Sequence, residues 1–504
     1  MITETDRLAA LAGEIERVRS SLVRAVQVDG EDKHQIAINE LVWAYAYLEA
    51  ARAARDWATA TGDNTAREIA NGAEDEAAQL IAARALDERI VAAHRLRELS
   101  VRALPPPDLG EDHRLLRATL REFAEREVRP IAQHVHRSDA DIPDDVIRGV
   151  AALGLFGISI PEKYGGSEQG EGDPLSMLIA TEELSRASLG VAGSLMTRPE
   201  ILVRAILRGG TEEQRRRWLP KIASGEAMVA VAVTEPNQGS DVGAITCRAQ
   251  RLSSGDWEIS GAKLWCTFAG RAELLMLLCR TGESGHRGLS IFVLEKPAFS
   301  GREFEHVQPQ GGALRGRAIP TIGYRGMHSF ELTFDRYRAP ISALLGRDEG
   351  LGRGFYLQMD GFAIGRLQTA ARAVGVMQAA VDAALAYTEQ RQVFGQRERD
   401  LPLVGAKLGA MVVRTCAARQ LAHRAARGMT EGGEQVEASL AKLYASRMAE
   451  LVTREAMQLH GGMGYAEETD ISRYFLDARV FSIFEGAEEV LSLRVIGRSM
   501  LRMS

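Results

Sequence analysis

Cysteine, lysine, proline and long apolar runs are all scarce in this chain of 504 residues. Its four cysteines, Cys247, Cys266, Cys279 and Cys416, show no CxxC spacing and no accompanying histidine pair. A zinc site and a disulfide framework are therefore not indicated, and the four read as reduced thiols. The longest apolar runs, such as LLMLLC at 274–279, fall far below the roughly 18 residues a membrane span requires. The first residues carry early acids and helical periodicity instead of a basic start and an apolar stretch, so no secretory signal is read and a cytoplasmic location is expected. Net charge is −6 and pI about 6.0, which leaves no overall basic field for nucleic acid or an anionic membrane. Any polyphosphate ligand needs a local site. Only seven of the 62 basic residues are lysines, a bias of base composition that leaves guanidinium as the available binder of phosphate and carboxylate. No GxGxxG follows a strand and opens a helix, and GLGRG at 350–354 lacks both the spacing and the preceding strand, which argues against a Rossmann nucleotide site.

What is present falls into four pieces. In residues 1–104, Leu8, Leu11, Ile15, Val18, Leu22 and Ala25 recur at helical steps, and Trp43, Tyr45, Tyr47 and Trp57 on the next stretch read as core packing. Three prolines at 105–107 cannot continue a helix and mark a linker. Residues 105–229 form a second helical piece, with helices over 115–129, 144–155 and 175–188 and a Gly-rich loop at 161–173. Residues 230–345 hold short apolar runs separated by Gly, Ser and Asp, the pattern of strands, with 296–323 expected to be one long loop. Residues 346–504 return to long helices with apolar faces at 354, 404 and 437 onward. Strands collected in one block, not alternating with helices, argue against a doubly wound parallel sheet.

For chemistry, a carboxylate in an apolar, glycine-flanked setting is the first candidate, because desolvation makes a carboxylate a usable base. Glu485 in SIFEGAEEV satisfies this, although an acid preceding a helix is also a common capping feature. The segment VTEPNQGSDVGA at 233–244 offers hydroxyls and amides at a turn, suited to a phosphate or a polar ring edge. In LWCTFAG at 264–270, Trp265 can lie against a planar group and Thr267 can bond its edge.

Together TEPNQGSD, GAKLWCTFAG, IGYRGM, RQVFGQ, QLHGGMGY and IFEGAEEV occur in the order and spacing of the acyl-CoA dehydrogenase family, which residues 110–504 resemble. The resemblance implies a mainly α fold: a helical domain, a central β barrel-like domain and a C-terminal four-helix bundle, here with an N-terminal helical extension. It implies FAD as cofactor and Glu485 as catalytic base. Some members place the base on the helix occupied here by Gly365 and Arg366, and Gly365 cannot serve. Val233, Thr234, Trp265 and Thr267 match residues that hold the flavin ring, and Ser240 one near the pyrophosphate. Arg391, Phe394, Gln458, Gly461 and Gly462 match positions reaching the FAD of a neighbouring subunit, which implies a homo-oligomer, dimer or tetramer. The implied chemistry is removal of an α-proton by Glu485 while the β-hydrogen leaves as hydride, with electrons passed on to electron transfer flavoprotein.

The extension, the 296–323 segment, GYRGM and Ala487 resemble the branch of the family that oxidises (2S)-methylsuccinyl-CoA to mesaconyl-CoA in the ethylmalonyl-CoA pathway. Such a substrate carries a carboxylate that needs a paired cation when buried. Arg186 matches a carboxylate-binding position of the family, with Gly190 in place of its helper serine; Arg198 is a second candidate and Arg366 a third, beside the base. The rival readings are a dehydrogenase for another short or branched acyl-CoA, an oxidase or monooxygenase on the same fold, and a non-catalytic CoA-binding scaffold.

Overall fold

The computed structural model describes residues 4–29, 35–81, 109–167, 173–429 and 435–502. The proline triplet at 105–107, the boundary drawn there and part of the Gly-rich loop lie outside them. The helices are α1 (Glu4–Asp29), α2 (Gln35–Thr61), α3 (Asn64–Ile81), α4 (Glu111–Phe123), α5 (Arg129–Ser138), α6 (Asp144–Ala152), α7 (Pro174–Ala187), α8 (Thr197–Gly209) and α9 (Glu212–Ala223). After the strands follow α10 (Gly354–Gln390), α11 (Pro402–Met429), α12 (Gln435–Leu459) and α13 (Asp470–Ala478). Contacts divide the chain into two compact units. One comprises residues 1–125, 178–187 and 366–504, the other 126–177 and 188–365.

In the first unit, α1 and α2 share one apolar cluster with the C-terminal helices. Ile15, Leu22, Leu41, Val42 and Trp43 pack with Leu440, Leu443, Leu491 and Ile496. Truncating a buried indole such as Trp43 in a cluster of this kind costs about 3–5 kcal/mol. The aromatic stripe of α2 is thus core, as its spacing predicts: Trp43 and Trp57 are buried, and Tyr47 meets Tyr444 edge-on at 5.3 Å. Ion pairs fasten the rim, Glu76 to Arg414 at 3.0 Å and Glu49 to Arg424.

The second unit is organised by one sheet of strands β1 (Val229–Ala232), β2 (Arg248–Arg251), β3 (Trp257–Thr267), β4 (Leu274–Arg280), β5 (Leu289–Glu295), β6 (Glu303–Val307), β7 (Ala313–Ile319) and β8 (Ser329–Ala339). Their order is β1-β4-β2-β3-β8-β7-β6, with β5 on the free side of β4. The apolar runs at β4 and β5 are buried along nearly their whole length and pair antiparallel from Leu274↔Glu295 to Arg280↔Leu289.

The expectation of a long loop over 296–323 is corrected by β6 and β7, an antiparallel hairpin. Its alternation is diluted because the outer face is charged, with Arg315 bonded to Glu305 at 2.7 Å and Arg317 to Glu331 at 2.8 Å. The inner face is thinned as well: Gly316 takes an inward position, and a Cβ there would stand 2.1 Å from the Phe304 ring. A strand in which every second residue is charged and one inward residue is glycine leaves little periodic apolar signal.

Candidate active site

In the sheet unit, the segments holding Val233, Thr234, Trp265 and Thr267 are drawn together by a buried ion pair. Lys263, fully buried in β3, donates to the Val233 carbonyl at 2.9 Å and to Glu235 at 2.9 Å. Glu235 also accepts from Thr246 N, Thr246 Oγ1 and Cys247 N at 2.7–2.8 Å. Burial raises the Glu235 carboxyl, but Lys263 and these donors outweigh it and hold it below the ordinary carboxylate range. Leu264 N then bonds the Thr234 carbonyl at 2.8 Å, so the turn after β1 and the end of β3 are one rigid piece.

Between Lys263 and Cys266 the pairing of β3 with β8 slips register. At that slip Trp265 takes a left-handed φ of 59° and is 53% exposed, although a strand tryptophan is ordinarily core. Thr267 Oγ1 shares a 2.9 Å hydrogen bond with Ser329 Oγ, and Ser240 lies exposed in the turn beyond Thr234. An open indole face next to backbone polar groups fits a planar ring with a polar edge, the shape of a flavin. The thiols nearby are spectators: burial pushes Cys247 up to about 11 and Cys266 up to about 12.

In the helical unit a second set meets at one end of the bundle. Arg391 donates to the Leu459 carbonyl at 3.3 Å and fills the space beside Gly461, whose φ of 57° an L side chain rarely adopts. Gly462 follows in an open setting, and Gln458 is exposed on the last turn of α12. Phe394, at the tip of the small hairpin formed by residues 392–397, is 92% exposed with φ 52°.

Glu485 lies three residues ahead of the short helix Glu488–Val490 that begins after Ala487, so it caps nothing. Its φ is 55°, followed by 98° at Gly486. A non-glycine residue held there is strained and persists only where its surroundings over-determine it. Two buried cations from the bundle share its surroundings. Arg366 on α10 donates to Ser439 Oγ at 3.3 Å, while its Nε and Oε2 of Glu485 are buried without hydrogen-bond partners. Burial lowers the Arg366 guanidinium to about 10, opposed by the charge of Glu485. Lys442 on α12 donates to the Gly486 carbonyl at 2.6 Å; burial lowers its ammonium to about 7, again opposed by Glu485. Arg372 covers the Phe484 ring at 4.8 Å.

The remaining arginines differ in their partners. Arg186 is ion-paired to Glu125 and to Asp382 at 3.2 Å, so its charge is spent within the protein and it is a poor receptor for a substrate carboxylate. Arg198, 6% exposed on α8, donates to Tyr324 Oη at 2.8 Å and to the Ser194 carbonyl at 3.3 Å, with its carbon 5.8 Å from the Tyr324 ring centre. Among the described residues it has no carboxylate partner. Tyr324 belongs to GYRGM and also has a left-handed φ, of 58°.

Lys263, Lys442, Ser439 and Tyr324 were not anticipated from the sequence. The lysines carried a usable signal, since each is a lone charge at an inward position of an apolar element, Lys442 directly between Ala441 and Leu443.

The helix-sheet-helix order, with an open indole face in the sheet unit and a strained glutamate in the helical one, is the arrangement that the resemblance to a flavin-dependent acyl-thioester dehydrogenase implies. Three family models cover most of the chain: the acyl-CoA dehydrogenase N-terminal domain over residues 110–226, the middle domain over 230–337 and the C-terminal domain over 352–501. The chain belongs to the acyl-CoA dehydrogenase family, whose members use FAD. It is 42% identical to (2S)-methylsuccinyl-CoA dehydrogenase of Cereibacter sphaeroides over 78% of this chain and 70% of that one. Among solved structures it is similar to butyryl-CoA dehydrogenase from Megasphaera elsdenii, with TM-score 0.72, 30% identity and coverage of 79% of this chain and all of that one. It is also similar to a glutaryl-CoA dehydrogenase from Mycobacterium smegmatis in complex with FADH2, with TM-score 0.67, 25% identity and coverage of 78% and 95%.

Proposed function

We propose that this acyl-CoA dehydrogenase oxidises (2S)-methylsuccinyl-CoA to mesaconyl-CoA, with Glu485 as base and Arg198 as receptor for the substrate carboxylate. The observation that carries the proposal is Arg198 itself: a buried guanidinium whose hydrogen-bond partners are neutral, a state that costs free energy until an anion arrives. The identity to a methylsuccinyl-CoA dehydrogenase supports the same reading. Arg186, already neutralised, is set aside as the receptor.

Glu485 takes the α-proton onto its carboxylate, and the Cα–H electron pair becomes the Cα–Cβ double bond as hydride leaves Cβ. FAD, when bound, supplies the acceptor for that hydride. Val233, Thr234, Trp265 and Thr267 would hold its ring and Ser240 its pyrophosphate, with Arg391, Phe394, Gln458, Gly461 and Gly462 reaching toward the cofactor of a second subunit in a homo-oligomer. The charge of Glu485 in turn opposes the loss of the Arg366 proton that burial favours. Electron transfer flavoprotein then reoxidises the enzyme, in the cytoplasm.

The test is turnover of methylsuccinyl-CoA, butyryl-CoA and isobutyryl-CoA with an artificial electron acceptor, followed by electron transfer flavoprotein against dioxygen. Methylsuccinyl-CoA should show the highest kcat/KM; absence of its turnover refutes the substrate assignment, and peroxide formation outpacing flavoprotein reduction refutes the acceptor.

A further inference from the structure

The base-bearing segment is fastened along one helix. From α12, Lys442 donates to the Gly486 carbonyl at 2.6 Å and Ser446 to the Phe481 carbonyl at 3.2 Å. Arg447 pairs with Glu488, while Glu450 accepts from Ser482 and pairs with Arg479 at 3.3 Å. These attachments fall on both sides of Glu485, whose left-handed backbone needs such support.

One of them is completed by the N-terminal helices. The guanidinium carbon of Arg447 lies 3.2 Å from the ring centre of Trp43, which is buried in α2. Trp43 is in turn seated in the cluster that contains Leu440, Leu443 and Leu491, and Leu491 is the side chain that a Cβ on Gly486 would strike, at 2.9 Å. The indole therefore fixes one end of a chain Trp43, Arg447, Glu488 that ends three residues from Glu485. Among the described residues, α1–α3 reach this segment through the apolar cluster and the stacking of Trp43 on Arg447, so their contribution is positional.

We infer that α1–α3 clamp the base-bearing turn, with Trp43 and Arg447 as positioning residues for Glu485. The inference rests on the reading of Glu485 as base. A face-on arginine gains from the ring quadrupole beyond simple apolar burial, so a smaller aromatic ring preserves the clamp and an aliphatic side chain does not.

The experiment uses the full-length holoenzyme and compares Trp43→Phe, Trp43→Leu and Arg447→Lys with the parent. Hydrogen exchange of amides 483–490 should quicken roughly tenfold in Trp43→Leu and Arg447→Lys, while strands β4 and β5 keep their protection. In the same two variants kcat should fall roughly tenfold with KM for the acyl-CoA within about twofold, since a displaced base costs rate without costing binding. Trp43→Phe should recover most of both. Unchanged exchange at 483–490 overturns the clamp, and so does a Trp43→Phe variant as impaired as Trp43→Leu. Should Trp43→Leu lose protection in β4 and β5 as well, Glu488→Gln cuts the same chain without emptying the core, and normal exchange and kcat there overturn the proposal. Glu485→Gln separates the two readings: full activity in that variant overturns the base assignment, whereas the exchange result bears on the clamp alone.

Discussion

Replacing Arg198 by methionine should make the protein more stable and a worse enzyme for one substrate only. The side chain is 6% exposed and donates to two neutral oxygens, Tyr324 Oη and the Ser194 carbonyl. Exchanging buried charge for an apolar chain of similar length gains about 1–4 kcal/mol, and losing two hydrogen bonds returns roughly 1 kcal/mol each. At mid-range the net for the free protein is a gain of about 0.5 kcal/mol, a rise of Tm of about a degree for a chain this large. In the proposed complex the same arginine faces a carboxylate, and breaking a buried pair by removing one partner costs about 3–5 kcal/mol. Because each 1.36 kcal/mol is tenfold, kcat/KM for methylsuccinyl-CoA should drop by about two to four orders of magnitude. Butyryl-CoA, which has no carboxylate to leave unpaired, should be used as well as before or better. Steady-state kinetics on both thioesters and a thermal melt of the substrate-free holoenzyme measure the three effects. An equal loss on both substrates, or a fall in Tm, would show that Arg198 holds the fold through Tyr324 and does not read the acyl chain.

Further consequences are more direct. Glu485→Gln should retain FAD and bind CoA esters with nearly unchanged affinity while losing turnover by at least three orders of magnitude, measured by flavin bleaching in single-turnover mixing. Lys442→Met should change the pH dependence of stability: burial lowers the folded ammonium to about 7 from its ordinary 10.5, so between those values the unfolded chain binds a proton that the folded chain lacks. Stability of the parent then rises with pH across that window by up to about 1.4 kcal/mol per unit, and the variant lacks this increment. A difference between the two urea midpoints that is flat from pH 7 to pH 9 would refute it. Arg186→Ala should destabilise the protein, because Glu125 and Asp382 lose their shared cation, yet alter methylsuccinyl-CoA and butyryl-CoA turnover to the same degree.

Reading the chain without coordinates succeeds where a signal is local. Buried strands such as β4 and β5 announce themselves as unbroken apolar runs, and Glu485 stands out because Phe484 and Gly486 flank it. It fails where the deciding partner is distant. Arg186 and Arg198 are indistinguishable in sequence, and what separates them is that Glu125 and Asp382 lie 61 and 196 residues away from the first. Tyr324 stands 126 residues from Arg198, and no spacing rule joins them. The β6–β7 hairpin is hidden for a different reason, since a charged outer face and the inward Gly316 remove the alternation that marks a strand.

Where the cations are neutralised therefore says more about function than how many there are. Lys263 has Glu235, Arg419 has Glu182 at 3.0 Å and Arg473 has Asp470 at 3.1 Å, all buried and all matched, and these pairs hold elements together. Lys296 makes no ion pair among the described residues, though it feels the charge of Glu273; the Gly270 and Pro297 carbonyls satisfy it, and it lies over Phe299 and Phe304, which anchors the end of β5. Among the described residues, Arg198, Arg366 and Lys442 are three buried cations whose hydrogen bonds go only to hydroxyls or carbonyls. A fold that only needed packing would gain by replacing each with an apolar side chain, because unmatched buried charge is costly. Two of the three feel the charge of Glu485, and their role ends with that carboxylate. Arg198 has no such anion among the described residues, and this is the ground on which we propose that the carboxylate of a dicarboxylic acyl thioester completes it.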